Sequence, residues 1–261
     1  MTRALRTKRL GRGAFSPAVA LRPAQGVVSL PNHAGLKGLR HKITVAVILV
    51  AVSVSARGRA AESPAQDLAR AVQHKYDGIK DFSADFVHTY RGGVLRKEIV
   101  ERGRLLVKKP GKMRWEYRAP EEKLFVSDGV KLYSYLPLDK QVYVSSVPRD
   151  DRATTPALFL AGKGDLTRDF SCSLAAPPTG ASRDTRALKL VPLSPQRDYD
   201  WIVLEVGAER LDLRGLVTTD AQGGQSSFAF TSLKENSGLT DKTFTFSIPR
   251  GVDVVTDASS R

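Results

Sequence analysis

The fold is decided by residues 103–135, which read GRLLVKKPGKMRWEYRAPEEKLFVSDGVKLYSY. Apolar and polar residues alternate through this stretch, as they do in β-strands that bury only one face. The alternation is interrupted by Lys-Pro-Gly at 109–111, Ala-Pro at 119–120 and Asp-Gly at 128–129, all of which favour turns. Short alternating strands joined by such turns predict a curved antiparallel sheet with one apolar face.

The clearest amphipathic strand of the chain lies at residues 112–118. Met113, Trp115 and Tyr117 share one of its faces, and the residues that alternate with them are all charged. Similar alternation predicts further strands on both sides of this segment. The predicted strands are residues 82–86, 103–109, 112–118, 124–126, 131–136, 141–145, 187–191, 201–206, 210–218, 226–233 and 243–248.

A helix is predicted just before the first strand. Ser63 and Gln66 form the sequence pattern of a capping box, with a proline at the first helical position. Leu68, Val72 and Tyr76 then recur every four residues, which places them on one helical face. Asp-Gly at 77–78 ends the pattern.

A second, shorter helix is predicted at residues 155–162. Its Thr-Pro start and final glycine suit the two ends of a helix. Leu158, Phe159 and Leu160 lie between them. Because a helix of barely two turns is not stable alone, it is expected to pack on an apolar surface.

The charge of the chain is concentrated at its beginning. Residues 1–61 contain eleven Lys or Arg and no Asp or Glu, so 30 basic and 27 acidic residues remain after position 61. The net charge of +14 falls to +3 for that remainder. The basic character therefore belongs to the N-terminal segment and does not indicate a nucleic-acid partner for the folded part.

The same N-terminal segment resembles a secretory signal peptide. An apolar run of twelve residues, 43–54, follows a basic stretch and precedes small residues. The run is short for a bilayer span, although a signal anchor is the alternative. We expect residues 1–61 to be a cleaved signal region and residues 62–261 to form one domain. Cleavage after Ala56 and cleavage after Ala61 both fit the small-residue spacing.

Residue types that carry catalysis are sparse after position 61. His74 and His88 have no metal-like or triad-like companion nearby in sequence, and the single cysteine, Cys172, excludes an internal disulfide. The sequence contains no phosphate-binding glycine loop and no zinc-ligand spacing. We therefore predict a protein that is not an enzyme and that needs no metal or cofactor.

Taken together, the motifs identify a family. Residues 62–257 resemble the periplasmic outer-membrane lipoprotein carrier family, LolA. The resemblance is densest in the stretch that opens this section, and it extends through the chain in the order that the family has. The other matching segments are DFSADF at 81–86, TTPALFLAG at 154–162 and KTFTFSIPRGVDV at 242–254.

The resemblance implies both a fold and a function. The fold would be mainly β, an unclosed antiparallel β-barrel of about eleven strands, with a lid of short α-helices over a hydrophobic cavity. The function would be that of a periplasmic chaperone in a Gram-negative bacterium. Acyl chains of lipoproteins would be received from an inner-membrane ATP-driven releasing complex and passed to an outer-membrane receptor. The protein would act as a monomer.

Other functions on the same scaffold stay open. A carrier or sensor of other lipids is the first alternative, because Lys109 and Met113 depart from the family pattern. An enzyme that depends on His88 is the second, since a fold does not fix a function.

The resemblance also suggests which residues act. The family has an arginine that holds the lid closed by binding backbone carbonyls; Lys109 occupies that position here, with Arg102 or Arg104 as alternative donors. Lysine lacks the planar fork of arginine, so the contact would differ. The residues expected to contact acyl chains are Phe82, Phe86, Leu105, Val107, Met113, Trp115, Tyr117, Leu158, Phe159, Phe228 and Phe230; ordinary core packing is the alternative for each.

Overall fold

A computed structural model describes residues 63–92, 98–147, 159–178, 181–196, 199–219 and 223–256. The expected signal region, residues 1–61, lies outside these ranges. Residues 155–158 of the predicted helix at 155–162 also lie outside them; of the rest, Phe159 and Leu160 are helical. Neither helix given below is long and apolar enough to span a membrane.

The first helix begins and ends as predicted. Helix α1 is Pro64–Asp77. The backbone N–H of Gln66 donates to Ser63 Oγ at 3.3 Å, and the backbone N–H of Ser63 donates to Gln66 Oε1 at 3.1 Å. Each bond satisfies a donor that the helix itself leaves unpaired, so the capping box fixes the start of α1. A second helix, α2, is the single turn Leu166–Asp169, capped by the side chain of Asp165.

The described residues form one sheet of twelve strands. In chain order these are β1 Asp81–Arg91, β2 Glu98–Lys108, β3 Lys112–Ala119, β4 Lys123–Asp128, β5 Lys131–Leu136, β6 Gln141–Ser146, β7 Phe170–Ala175, β8 Thr185–Pro192, β9 Ile202–Gly207, β10 Leu213–Thr219, β11 Gln225–Glu235 and β12 Asp253–Thr256. Their order in the sheet is β12-β6-β5-β4-β3-β2-β1-β11-β10-β9-β8-β7. All neighbours are antiparallel except β12 and β6. Since β7 and β12 lie at opposite edges, the sheet is unclosed.

One predicted strand is wrong. Residues 243–248 alternate in sequence but form no ladder; a 3-10 turn, Asp241–Phe244, begins this segment. Phe244 is buried, and the ring of Phe246 lies 5.5 Å from that of Tyr133 on β5. Asp241 also pairs with Lys108 at 2.7 Å and with Lys112 at 2.8 Å. The alternating side chains of this segment therefore pack across the sheet instead of extending it, and the final strand comes later, at β12.

The core lies between one face of the sheet and the helices. The apolar face of α1 belongs to the same hydrophobic cluster as the buried side chains of β1, β2, β3 and β11. Helix α1 also packs against α2, β7 and β8. We call α1 together with residues 159–169 the helical cover, and the buried sheet face beneath it the interior face. An open, mainly β barrel with a helical cover is thus confirmed, with twelve strands where about eleven were expected.

Candidate functional site

The interior face gathers the residues predicted to contact acyl chains. Ten of the eleven are buried in one cluster, and they come from β1, β2, β3, β11 and the helical cover. Leu158 lies outside the described residues. Strand alternation brings them together, because inward positions on neighbouring strands fall on the same face. The ten are Phe82, Phe86, Leu105, Val107, Met113, Trp115, Tyr117, Phe159, Phe228 and Phe230.

Phe86 lies at the centre of the aromatic part of this face. Its ring centroid is 5.3 Å from that of Trp115, 4.9 Å from that of Tyr117 and 6.0 Å from that of Phe228, each in an edge-to-face arrangement. Gly103 lies opposite Phe86 on β2. A Cβ atom at that position would come within 2.6 Å of Phe86 Cζ, so only glycine leaves room for the ring.

Three buried polar atoms on the interior side have no hydrogen-bond partner in the described part of the chain. They are Tyr76 Oη, Trp115 Nε1 and Tyr117 Oη. Burial raises the pKa of Tyr117 well above its ordinary value, and the nearby charge of Glu101 raises it further. Burial likewise raises the pKa of Tyr76. Both side chains are therefore neutral phenols that can donate a hydrogen bond.

A buried polar cluster surrounds His88 next to these aromatics. Its Nδ1 lies 3.1 Å from Glu101 Oε2, and its Nε2 lies 3.4 Å from Ser226 Oγ. Lys123 Nζ donates to the other carboxylate oxygen of Glu101. The imidazole stacks on Phe228, with 4.2 Å between the centroids. This cluster could not be predicted from local sequence, because its members come from four different strands.

Hydrogen bonds and charges connect the members of the cluster around His88. Burial would raise the pKa of Glu101, but hydrogen bonds from His88 and Lys123 outweigh burial and hold that pKa below its ordinary value. Ser226, His88 and Glu101 are connected in the order of a nucleophile, a base and an orienting acid. Ser226 lies within β11 and is only 2% exposed, so no reacting atom reaches its hydroxyl in this arrangement. We interpret the cluster as a structural one.

Lys109 joins the sheet to the helical cover. Its Nζ donates to the backbone oxygen of Tyr76, near the end of α1, and lies 4.3 Å from the centre of the Tyr76 ring. Its side chain also crosses Gly162, where a Cβ atom would come within 2.7 Å of Lys109 Cδ. The N–H of Gly111 donates to Ala161 O at 2.9 Å. Burial lowers the pKa of Lys109, and Asp77 partly opposes that shift.

The opposite face of the sheet has a groove of about 600 Å³ with mixed chemistry. Arg91, Glu205, Trp201 and Gln225 are among the residues that line it. Burial raises the pKa of Glu205. Charged and amide groups are poor neighbours for hydrocarbon chains, so the interior face suits an apolar ligand better than this groove does.

The surroundings of the remaining candidate residues suit a structural role. Within the described ranges, no three His, Cys, Asp or Glu side chains are grouped to hold a metal ion. Cys172 Sγ donates to Leu166 O at 3.5 Å, and burial, aided by the charge of Asp165, raises its thiol pKa. A raised pKa disfavours the reactive thiolate. His74 is exposed on α1.

An apolar interior face beneath short helices is the arrangement of a carrier of hydrophobic cargo. Residues 77–247 match the family described as "Outer membrane lipoprotein carrier protein LolA". The match covers well over half of the chain, and the chain belongs to this family.

Two named relatives agree with this assignment. The outer-membrane lipoprotein carrier protein of Chromohalobacter salexigens is 36% identical over 182 residues, which are 69% of this chain and 82% of that protein. Its counterpart in Chromobacterium violaceum is 30% identical over 208 residues, covering 80% of this chain and 96% of that protein. A crystal structure of a LolA superfamily protein from Nitrosomonas europaea covers 68% of this chain and 97% of its own, at 15% identity and a TM-score of 0.39.

Proposed function

We propose that this protein is a periplasmic chaperone for lipoproteins. It binds the acyl chains of lipoproteins released from the inner membrane and delivers them to the outer membrane. The observation that carries this proposal is the buried apolar face beneath a helical cover, in a chain of the lipoprotein carrier family. The proposed role is binding and transport, without catalysis.

The free-energy cost of exposing acyl chains to water favours a carrier of this design. A triacylated lipoprotein has three chains of roughly 15 methylenes each, and exposing them to water costs about 35 kcal/mol at about 0.8 kcal/mol per methylene. Free diffusion across an aqueous compartment is negligible against such a cost. A dry interior face removes most of it, while an unclosed sheet leaves a route for the chains to enter and leave.

The helical cover is the part that we expect cargo to displace. Helix α2 is a single turn, and helices this short are held by their packing and not by their own hydrogen bonds. The side chains of the cover fill the interior of the free protein, so they and the cargo compete for the same apolar surface. We propose that Lys109 is the latch of this closed state, through its contacts with Tyr76 and Gly162.

The partners follow from the same proposal. An inner-membrane ATP-driven complex supplies the acylated lipoprotein, and an outer-membrane lipoprotein receptor accepts it. We propose that the protein acts as a monomer in the periplasm of a Gram-negative bacterium, after export by a signal peptide in residues 1–61.

A release assay tests the function directly. Residues 62–261 are added to energised spheroplasts of the source organism, and newly acylated lipoprotein is followed in the supernatant. We expect soluble lipoprotein that co-migrates with this chain, and none when the protein is omitted or the cells are de-energised.

The same assay separates the alternative. Folded protein that releases no lipoprotein, from spheroplasts whose extraction activity is verified with an established carrier, would contradict the proposal. Retention of phospholipid by that protein would then favour a carrier or sensor of other lipids, the alternative suggested by Lys109 and Met113.

A further inference from the structure

Two unpaired hydrogen-bond donors lie side by side on the interior face. Trp115 Nε1 and Tyr117 Oη belong to side chains that are each 3% exposed, and neither atom has a hydrogen-bond partner in the described part of the chain. The two residues are separated by one position on β3, so their side chains leave the same face about 7 Å apart. Both rings contact Phe86.

Unpaired buried donors are unfavourable and therefore uncommon. A buried N–H or O–H without an acceptor loses its hydrogen bonds to water and gains none in return. A phenylalanine in place of Tyr117 would keep the ring and leave no polar atom without a partner, and Phe86, Phe125 and Phe228 lie in the same cluster. Two such donors in one small region indicate that their acceptors arrive with a ligand.

The ligand must supply acceptors inside an apolar environment. Hydrocarbon chains have none, whereas the ester groups that join fatty acids to glycerol carry a carbonyl oxygen each. We propose that Trp115 and Tyr117 donate hydrogen bonds to the ester carbonyl oxygens of diacylglycerol-type cargo, an inference that rests on the proposed function. Two donors on one strand face match two esters on neighbouring carbons of the same glycerol.

The surroundings favour a neutral acceptor over an anionic one. The Glu101 carboxylate is close enough to Tyr117 to add to the raised pKa of its phenol. Lys123 pairs with Glu101, and its Nζ lies 5.7 Å from the centre of the Tyr117 ring, so the two charges offset each other. Burying a fatty-acid carboxylate without a partner of its own is costly, whereas an ester is uncharged. The interior face therefore suits an ester better than a free carboxylate.

The two donors also have different surroundings in the free protein and in the loaded protein. In the free protein the donors are buried and unpaired, and in the loaded protein each gains an acceptor. Only an interaction that differs between two states shifts their equilibrium. The two donors thus favour the loaded state beyond what apolar burial alone contributes.

The test uses two lipids that differ only in their carbonyl groups. Dioctanoylglycerol has two esters, and dioctylglycerol has ethers in their place with chains of the same length. Each lipid is titrated against residues 62–261 in competition with an environment-sensitive fluorescent probe. We expect the wild type to prefer the diester by about tenfold, as two net hydrogen bonds imply. Tyr117→Phe keeps the ring and should reduce the affinity for the diester more than the affinity for the diether. Trp115→Phe also removes apolar contact, so it should weaken the binding of both lipids and lower the ratio of diester to diether affinity.

Two controls keep the result interpretable. Tyr133→Phe removes a hydroxyl from β5, where the ring contacts Phe246 instead of the interior aromatics, and should change neither affinity. Thermal unfolding of Tyr117→Phe without lipid should occur at the same or a higher temperature, since the hydroxyl has no partner to lose. A clear fall in that temperature would overturn the inference, because the hydroxyl would then be paired in the free protein.

The remaining outcomes distinguish the inference from the function on which it rests. Equal affinity of the wild type for both lipids overturns ester recognition and leaves the carrier proposal standing. Failure of the folded wild type to bind either lipid overturns both.

Discussion

Lys109 lies where three parts of the chain meet: the turn after β2, the end of α1 and the segment that contains Gly162. Its ammonium group donates to a carbonyl at the C-terminal end of α1, where a positive charge also favours the helix dipole. Its methylene stem fills the space above Gly162. One side chain therefore links both parts of the helical cover to the sheet.

Lys109→Met tests this link. The substitution keeps an unbranched apolar stem and removes the ammonium group, so we expect a loss of about 1–2 kcal/mol in the free energy of unfolding, reduced by partial exposure. Hydrogen exchange of residues 64–78, measured by mass spectrometry, should accelerate more than exchange in β2 and β3. Lys131→Met, an exposed position on β5, should change neither quantity. Unchanged exchange in α1 would show that Lys109 does not hold the cover.

Glu101 makes the stability of the protein depend on pH in the acidic range. Its pKa is depressed in the folded protein and returns to its ordinary value of 4.5 on unfolding. The stabilisation is therefore fully present above about pH 4.5 and is lost as the pH falls through the lower folded pKa. Glu101→Gln leaves Lys123 without its carboxylate partner, and we expect it to cost about 2 kcal/mol at pH 7.

The measurement is the urea midpoint of unfolding at pH 7, 5, 4 and 3. The difference between wild type and Glu101→Gln should be constant down to about pH 5 and should shrink below pH 4.5. Glu98→Gln removes a carboxylate from an exposed ion pair with Arg91 and should have little effect at any pH. A constant difference between wild type and Glu101→Gln across the whole range would contradict the assignment.

At the scale of elements, the contact between β1, β2 and β3 depends on a residue without a side chain. Gly103 faces Phe86 on β1, and a Cβ atom there would lie 2.1 Å from Glu116 O on β3. We expect Gly103→Ala to destabilise the protein by about 2–3 kcal/mol, because backbone and a packed ring must both move. Chemical denaturation followed by circular dichroism measures this loss.

Gly78 provides the matched control for this prediction. It caps α1 with an ordinary negative φ, and an added Cβ atom would lie 3.4 Å from Lys75 O, so Gly78→Ala should cost much less. Equal losses for the two variants would mean that the alanine effect comes from the unfolded chain and not from close packing.

Elements could be predicted where local sequence determines them. The capping box and the four-residue period specified α1, and strict alternation specified which face of β3 is buried. Alternation at 243–248 misled, because Phe244 is buried and Phe246 packs on Tyr133 and Tyr135, and such long-range contacts leave no local pattern. The cluster around His88 was missed for the same reason: Ser226 lies 138 residues away in sequence.

At the scale of the whole molecule, sequence motifs predicted an open barrel with a helical cover, and the ten proposed contact residues that the structure describes are all interior. What they could not predict is which interior atoms lack partners. The unpaired state of Trp115 Nε1 depends on every neighbouring side chain, so it is visible only once the strands are assembled. Alternation indicates where a side chain points but not what it meets.

Within the described part of the chain the sheet has two edges, and this has a mechanical consequence. A closed barrel has a radius fixed by its number of strands and their stagger. Here β7 and β12 end the sheet, so its curvature can change through small adjustments of twist at each ladder, with every ladder hydrogen bond retained. We therefore expect the sheet to deform by small amounts along its whole width, so that the proposed carrier could bind lipoproteins of unequal bulk.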